Sequence, residues 1–196
     1  MYSDMRHIKL FESIMWERLY HGNRKGDFPP EKKRFGAIFL TPNLNFAKNF
    51  AGYDERDIFP NGAVFEVELK PGIRVIDMMD TKSWEEIGIE KLLFDMIEER
   101  YIDPVNGYKF LPVSGSGLLG YDPKTENEFP IQKPEDSLYH YLWRVKHGAW
   151  RIIECAPISN KIEGLGYDGY YVVEGSSKNV AIFSEDSIMN FKKLEL

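Results

Sequence analysis

Hydrophobic positions along the chain change period several times, and each change marks an element. Over the first residues Ile8, Phe11, Ile14 and Met15 recur at helical spacing among Lys9, Glu12, Glu17 and Arg18. That pattern predicts an amphipathic helix over 1–18, with Ser3 and Asp4 available as N-caps. From Leu19 the helical period stops, and Leu19-Tyr20-His21-Gly22 reads as extended. Phe35 to Thr41 has strand character. Thr41-Pro42-Asn43 predicts a helix start, with Thr41 as hydroxyl N-cap and proline at the first helical position. The helix carries Leu44, Phe46, Ala47, Phe50 and Ala51 and ends at Gly52. Val64, Phe65, Val67 and Leu69 alternate with Glu66, Glu68 and Lys70, which predicts a strand, and Pro71-Gly72 turns it into a second strand, Ile73 to Met78. Ile87, Lys91, Phe94, Ile97 and Tyr101 predict one helix over 84–101. Residues 103–137 are rich in proline and glycine and keep no period, so they read as a long loop or small insertion. A helix over about 137–150 and a short one over 158–165 follow. The chain then closes on a hairpin, GYYVVEG and NVAIFS, around Ser176-Ser177. Strands and helices mix without βαβ regularity, which predicts an α+β fold.

Composition narrows the function classes. With Lys plus Arg at 25 and Asp plus Glu at 31, the net charge is −6, which disfavours a protein that coats nucleic acid through a basic face. The single cysteine, Cys155, excludes an internal disulfide framework and a thiolate-rich metal site. No apolar run approaches the roughly 20 residues of a membrane span, and no signal-type apolar segment is present. The expectation is a soluble, cytoplasmic protein with no membrane partner.

Most candidate motifs have a plain reading. Val113-Ser114-Gly115-Ser116-Gly117 lacks the Gly-Lys-Ser/Thr ending of a phosphate loop and is read as a flexible loop. His140 and His147 stand about 10 Å apart along a helix, too far to share a metal, so they are read as surface or core histidines. Asp77 and Asp80 flank a strand end and are read as turn caps in preference to a metal site. Cys155 is read as a buried small residue. No metal site is expected. Residues 23–34 hold five basic and two acidic residues around Pro29-Pro30; they are either a solvated loop or a positive lip beside a phosphate-bearing ligand. His21, at a strand end and followed by Gly22, is either structural or set where a ligand can approach the backbone closely.

Three segments in order resolve that choice by resemblance: Leu19-Tyr20-His21-Gly22, then GAIFLTPNLNFAKNFAG at 36–52, then LGYDGYYVVEGSSKNVAIFSEDSI at 165–188. Together they resemble the ADP-ribosyltransferase-like superfamily of the His-Tyr-Glu type, and in particular small transferase-like domains of bacteriophage genomes. The resemblance implies an ADP-ribosyltransferase-like domain over 19–196, with two small antiparallel sheets around an NAD cleft and an insertion at about 79–150. It implies NAD as co-substrate and transfer of ADP-ribose to a macromolecular acceptor, protein in preference to nucleic acid. His21 would hold the adenosine-side ribose and the Gly22 backbone the nicotinamide amide. Asn23 and Arg24 would lie on the cofactor side, Phe39 would stack on nicotinamide, and Thr41 would support that wall.

One position departs from the family pattern. The glutamate expected at the start of the final strand is Asn179. Cleaving the nicotinamide–ribose bond builds positive charge on the sugar, and a carboxylate there stabilises it. Asparagine keeps hydrogen bonding but supplies no charge. Glu174, across a short turn, is the expected substitute acid; the alternative is an exposed turn residue. Two other functions stay open on this ground: a catalytically inactive binding or virion-structural module, and an NAD glycohydrolase. Separately, Leu10-Phe11-Glu12-Ser13 resembles the short cut pattern read by prohead proteases of large tailed phages, against the plain reading of a docking helix.

Overall fold

The computed structural model describes residues 18–29, 36–52, 61–174 and 177–195. The N-terminal helix expected over 1–18 (apart from its last residue), the candidate cleavage pattern at 10–13 and part of the basic loop lie outside them. The fold is α+β, with nine strands and six α-helices among the described residues. The chain divides into two compact units.

The first unit takes the residues up to Ile76, Gly166–Tyr171 and Gly175–Leu196. It holds two small sheets, apart from Asp77 and Val172–Glu174, which count with the second unit. One runs β1 (Leu19–Asn23), β3 (Ala63–Leu69), β9 (Ile188–Lys193). The other runs β2 (Ile38–Leu40), β8 (Ser177–Ile182), β7 (Gly169–Glu174), β4 (Val75–Asp77). β1 and β9 both pair antiparallel with β3, and β2 pairs antiparallel with β8. Alternation explains the core: Leu19, Phe65, Val67, Ile38, Leu40, Val180 and Ile182 point from both sheets into one buried cluster with Val75 and Tyr171. The opposite side of β1 packs Tyr20 against α1 (Leu44–Ala51), through Ala47 and Ala51.

Several local expectations need correction here. The strand expected over 35–41 is β2, three residues long, and that over 73–78 is β4. The helix start moves from Thr41 to Asn43, whose side chain accepts from the Asn45 and Phe46 amides at 3.0 and 3.1 Å. Asparagine ranks with the best N-caps, and Thr41 Oγ1 is spent one step earlier, accepting from the Asn43 amide at 3.1 Å. The chain also does not end on the β7–β8 pair, since β9 follows on the far edge of the other sheet.

The second unit covers Asp77–Leu165 and Val172–Glu174; the insertion expected over 79–150 covers part of it. The helix expected over 84–101 is two, α2 (Thr81–Ile87) and α3 (Ile89–Glu98), because Gly88 breaks the period at φ 66° and closes α2 with a left-handed cap. The stretch 103–137 is not a plain loop: it folds an antiparallel hairpin, β5 (Leu119–Asp122) and β6 (Asn127–Pro130). The helix expected over 137–150 is α4 (Ser137–Lys146) followed by the single turn α5 (Trp150–Ile153), and the one expected over 158–165 is α6 (Ala156–Gly164). Asp103, buried at 1% exposure, organises the centre of the unit. Its carboxylate accepts from the Val105, Asn106 and Ala156 amides at 2.8–2.9 Å, so one side chain closes a turn and caps α6.

Asp77 and Asp80 act as turn caps, on the Met79 and Lys82 amides. Cys155 is buried and carries no disulfide. His140 is half-buried, with Nδ1 on the Leu119 carbonyl, and His147 is exposed beside Glu128 at 3.2 Å. Among the described residues no cluster of metal-ligating side chains occurs.

Candidate functional site

The site residues of the first unit gather where β1 and β2 part. Tyr20 exchanges both backbone hydrogen bonds with Thr41, N–H to O at 2.8 Å and O from N–H at 2.9 Å. Bonding direction alternates along an antiparallel strand. Gly22, like Tyr20, therefore turns its amide and carbonyl away from β3 and toward β2. Continuing that register would pair Gly22 with Phe39, yet β1 and β2 belong to different sheets and their pairing stops at the Tyr20–Thr41 bridge. The Phe39 carbonyl is engaged by His21 instead, with Nδ1 at 2.8 Å.

That bond fixes the histidine chemically. A carbonyl only accepts, so Nδ1 carries the proton and Nε2 of the neutral ring is an acceptor. Burial lowers the His21 pKa, opposed by the Phe39 bond and by the negative charge of Asp27. The neutral ring is thus the favoured form.

Gly22 is required by packing as well. A Cβ there would lie 1.8 Å from the Ala47 carbonyl oxygen, so α1 occupies the side that the sequence reading left open to a ligand. The α-carbon side of Gly22 is therefore closed by α1.

The remaining candidates fall into separate environments. Thr41 is buried, and its Oγ1 lies 3.1 Å from Ser177 Oγ on β8. Ser177 and Asn179, two residues apart, share a face of β8, and Asn179 is 3% exposed. Phe39 is half-buried, opposite Ala181. Asn23 spends its side chain inside its own loop: Nδ2 donates to the Asp27 carbonyl and carboxylate at 2.9 and 2.7 Å, and Oδ1 accepts from the Lys25 amide at 2.8 Å. Arg24 is exposed. Glu174 ends β7, half-buried, and is counted with the second unit.

Two aromatic groups were missed from sequence. Phe50 on α1 is 50% exposed and in edge contact with Phe46, and its Cβ lies 3.0 Å from a Cβ built on Gly22. The i, i+4 aromatic spacing of Phe46 and Phe50 was the available signal. Phe28 packs on the His21 ring at 5.1 Å and on Phe191 at 4.9 Å; β9 was not foreseen, so this contact had no signal.

Comparison with known proteins gives no match to a family model, a curated protein or a solved structure. Among the described residues no helix is long and apolar enough to cross a membrane.

Proposed function

We propose that this chain is an NAD-dependent ADP-ribosyltransferase with the ADP-ribosyltransferase-like fold, acting on a macromolecular acceptor. One observation supports the reading: β1–β2 pairing stops at the Tyr20–Thr41 bridge, and Gly22 lies past it with its backbone edge on the β2 side, beside a histidine whose Nε2 is an acceptor. A carboxamide offers N–H donors and a carbonyl acceptor, and the Gly22 carbonyl and amide match them in kind. His21 Nε2 accepts from a ribose hydroxyl. Phe50, exposed next to Gly22, and Phe39 supply aromatic faces for a nicotinamide ring.

In the transfer, the nicotinamide–ribose bond breaks with its electron pair leaving on nicotinamide, and an acceptor nucleophile forms the new bond to the sugar carbon. The charge that builds on the sugar calls for a carboxylate; Asn179 hydrogen-bonds the ribose without supplying one, and Glu174 is the acid that the sequence offers for that role. The acceptor is a protein side chain in preference to a base, in keeping with the net charge of −6.

Incubation of the protein with NAD labelled on the adenine side, with and without bacterial lysate, tests the reading. Labelled protein together with free nicotinamide is expected, and loss of both in His21→Ala. A second reading has its own support in Asn179, an uncharged residue at the acid position: an inactive binding or virion-structural module. It predicts NAD binding without nicotinamide release. Nicotinamide release without label identifies an NAD glycohydrolase.

A further inference from the structure

The second unit carries a set of side-chain donors with no hydrogen-bond or ion-pair partner among the described residues. Arg144, half-buried in the last turn of α4, has its guanidinium carbon 5.4 Å from the centre of the Tyr108 ring. Arg151 on α5 lies similarly on Trp150, at 5.5 Å. The Asn106 side chain ties the two places together, accepting from the Tyr108 amide at 2.8 Å and donating to the Arg151 carbonyl at 3.0 Å. Among the described residues neither guanidinium forms an ion pair, although the chain holds more acidic than basic residues. The Tyr108 hydroxyl is buried without a hydrogen-bond partner.

Stacking on an aromatic face fixes the plane of a guanidinium and leaves its N–H edge available for bidentate binding. Both arginine charges act on the Tyr108 hydroxyl, and burial, the larger effect, pushes its pKa up to about 12. The phenol therefore stays protonated, as a donor. Two forks and a phenol are donors suited to an oxyanion, and a phosphoryl group brings more acceptor oxygens to them than a carboxylate does.

We propose that Tyr108, Arg144 and Arg151 form a binding site for a phosphoryl group, separate from the NAD reading of the first unit.

The test is titration of the full-length protein with inorganic phosphate and with phenyl phosphate, followed by calorimetry at constant ionic strength, with chloride as control. Saturable binding is expected, weakened about tenfold or more in Arg144→Gln and in Arg151→Gln, and unchanged in His21→Ala. Tighter binding of phenyl phosphate marks an ester-linked phosphoryl group as the ligand; the reverse order marks the free ion. Tyr108→Phe separates binding from structure: it removes an unpartnered buried hydroxyl, so its stability without phosphate is expected to equal or exceed the parent's while its phosphate affinity falls. Arg151 is exposed, so Arg151→Gln remains informative if Arg144→Gln does not fold. Phosphate binding no stronger than chloride, or equal in parent and Arg151→Gln, overturns the site.

Discussion

His21 and Cys155 show how burial sets the chemistry of single residues. Desolvation lowers the His21 pKa below its ordinary value of 6.5, and it does the same for His140. For both, the unfolded chain takes up a proton first as pH falls. Their contribution to stability is therefore present above about pH 6.5 and is lost as pH drops from there through the lowered folded values. The urea midpoint is expected to fall between pH 7 and 5, and the fall to be smaller in a His21→Ala, His140→Ala double variant. Ring titrations followed by NMR assign the two steps. Cys155 is displaced in the other direction: burial pushes its thiol up to about 12, with the Asn106 hydrogen bond opposing it in part. Thiolate is the reactive form, so native protein is expected to resist iodoacetamide at pH 8 and to be alkylated at Cys155 once unfolded in urea. Rapid labelling of native protein would contradict the buried placement.

At the scale of elements, the approach of α1 to β1 is the contact on which the candidate site depends. Gly22→Ala would drive a methyl against the Ala47 carbonyl, a backbone atom that cannot rotate away. A loss of about 1–3 kcal/mol or more is expected from such overpacking, measured by urea unfolding, together with loss of NAD binding as α1 shifts. What the sequence made legible follows the same physics. β3 alternates because Glu66 and Glu68 face away from the core, whereas β7 and β8 were legible as short runs buried at nearly every residue and bounded by turn signals. α1 has strong end signals, although its cap proved to be Asn43 and not Thr41. The β5–β6 hairpin was hidden because β6 is largely exposed and its turn places Glu126, a residue other than glycine, at φ 57°. β9 was hidden because only its first residue is better than exposed, leaving no apolar period to read. Within the site, His21 and Gly22 stood out as residue types at a strand end. Phe50 did not, since its place beside Gly22 depends on how a helix docks on a strand.

For the whole molecule, the proposed function divides on whether the chain turns over NAD or only binds it, and Asn179 decides how that is tested. If Glu174 supplies the missing carboxylate, Glu174→Gln removes nicotinamide release and leaves NAD affinity within a few-fold of the parent. Asn179→Glu then gives no gain, because the transfer already has its carboxylate. If Glu174 is only the end of β7, the parent protein is inactive, and Asn179→Glu restores the charge that the cleaved sugar needs. Nicotinamide release is then expected to rise by about 10²–10³. The substitution has an opposing cost, since position 179 is buried at 3% exposure and an isolated carboxylate there is poorly solvated. Bound NAD offsets that cost through the ribose hydroxyls, so the variant should be destabilised alone and recover stability with NAD. Activity and NAD-dependent stabilisation must therefore rise together in Asn179→Glu. A variant as stable as the parent and still silent, in a protein whose Glu174→Gln form is also unchanged, removes transfer through either residue, and titration of the parent with NAD then separates a binding module from a chain that does not take NAD.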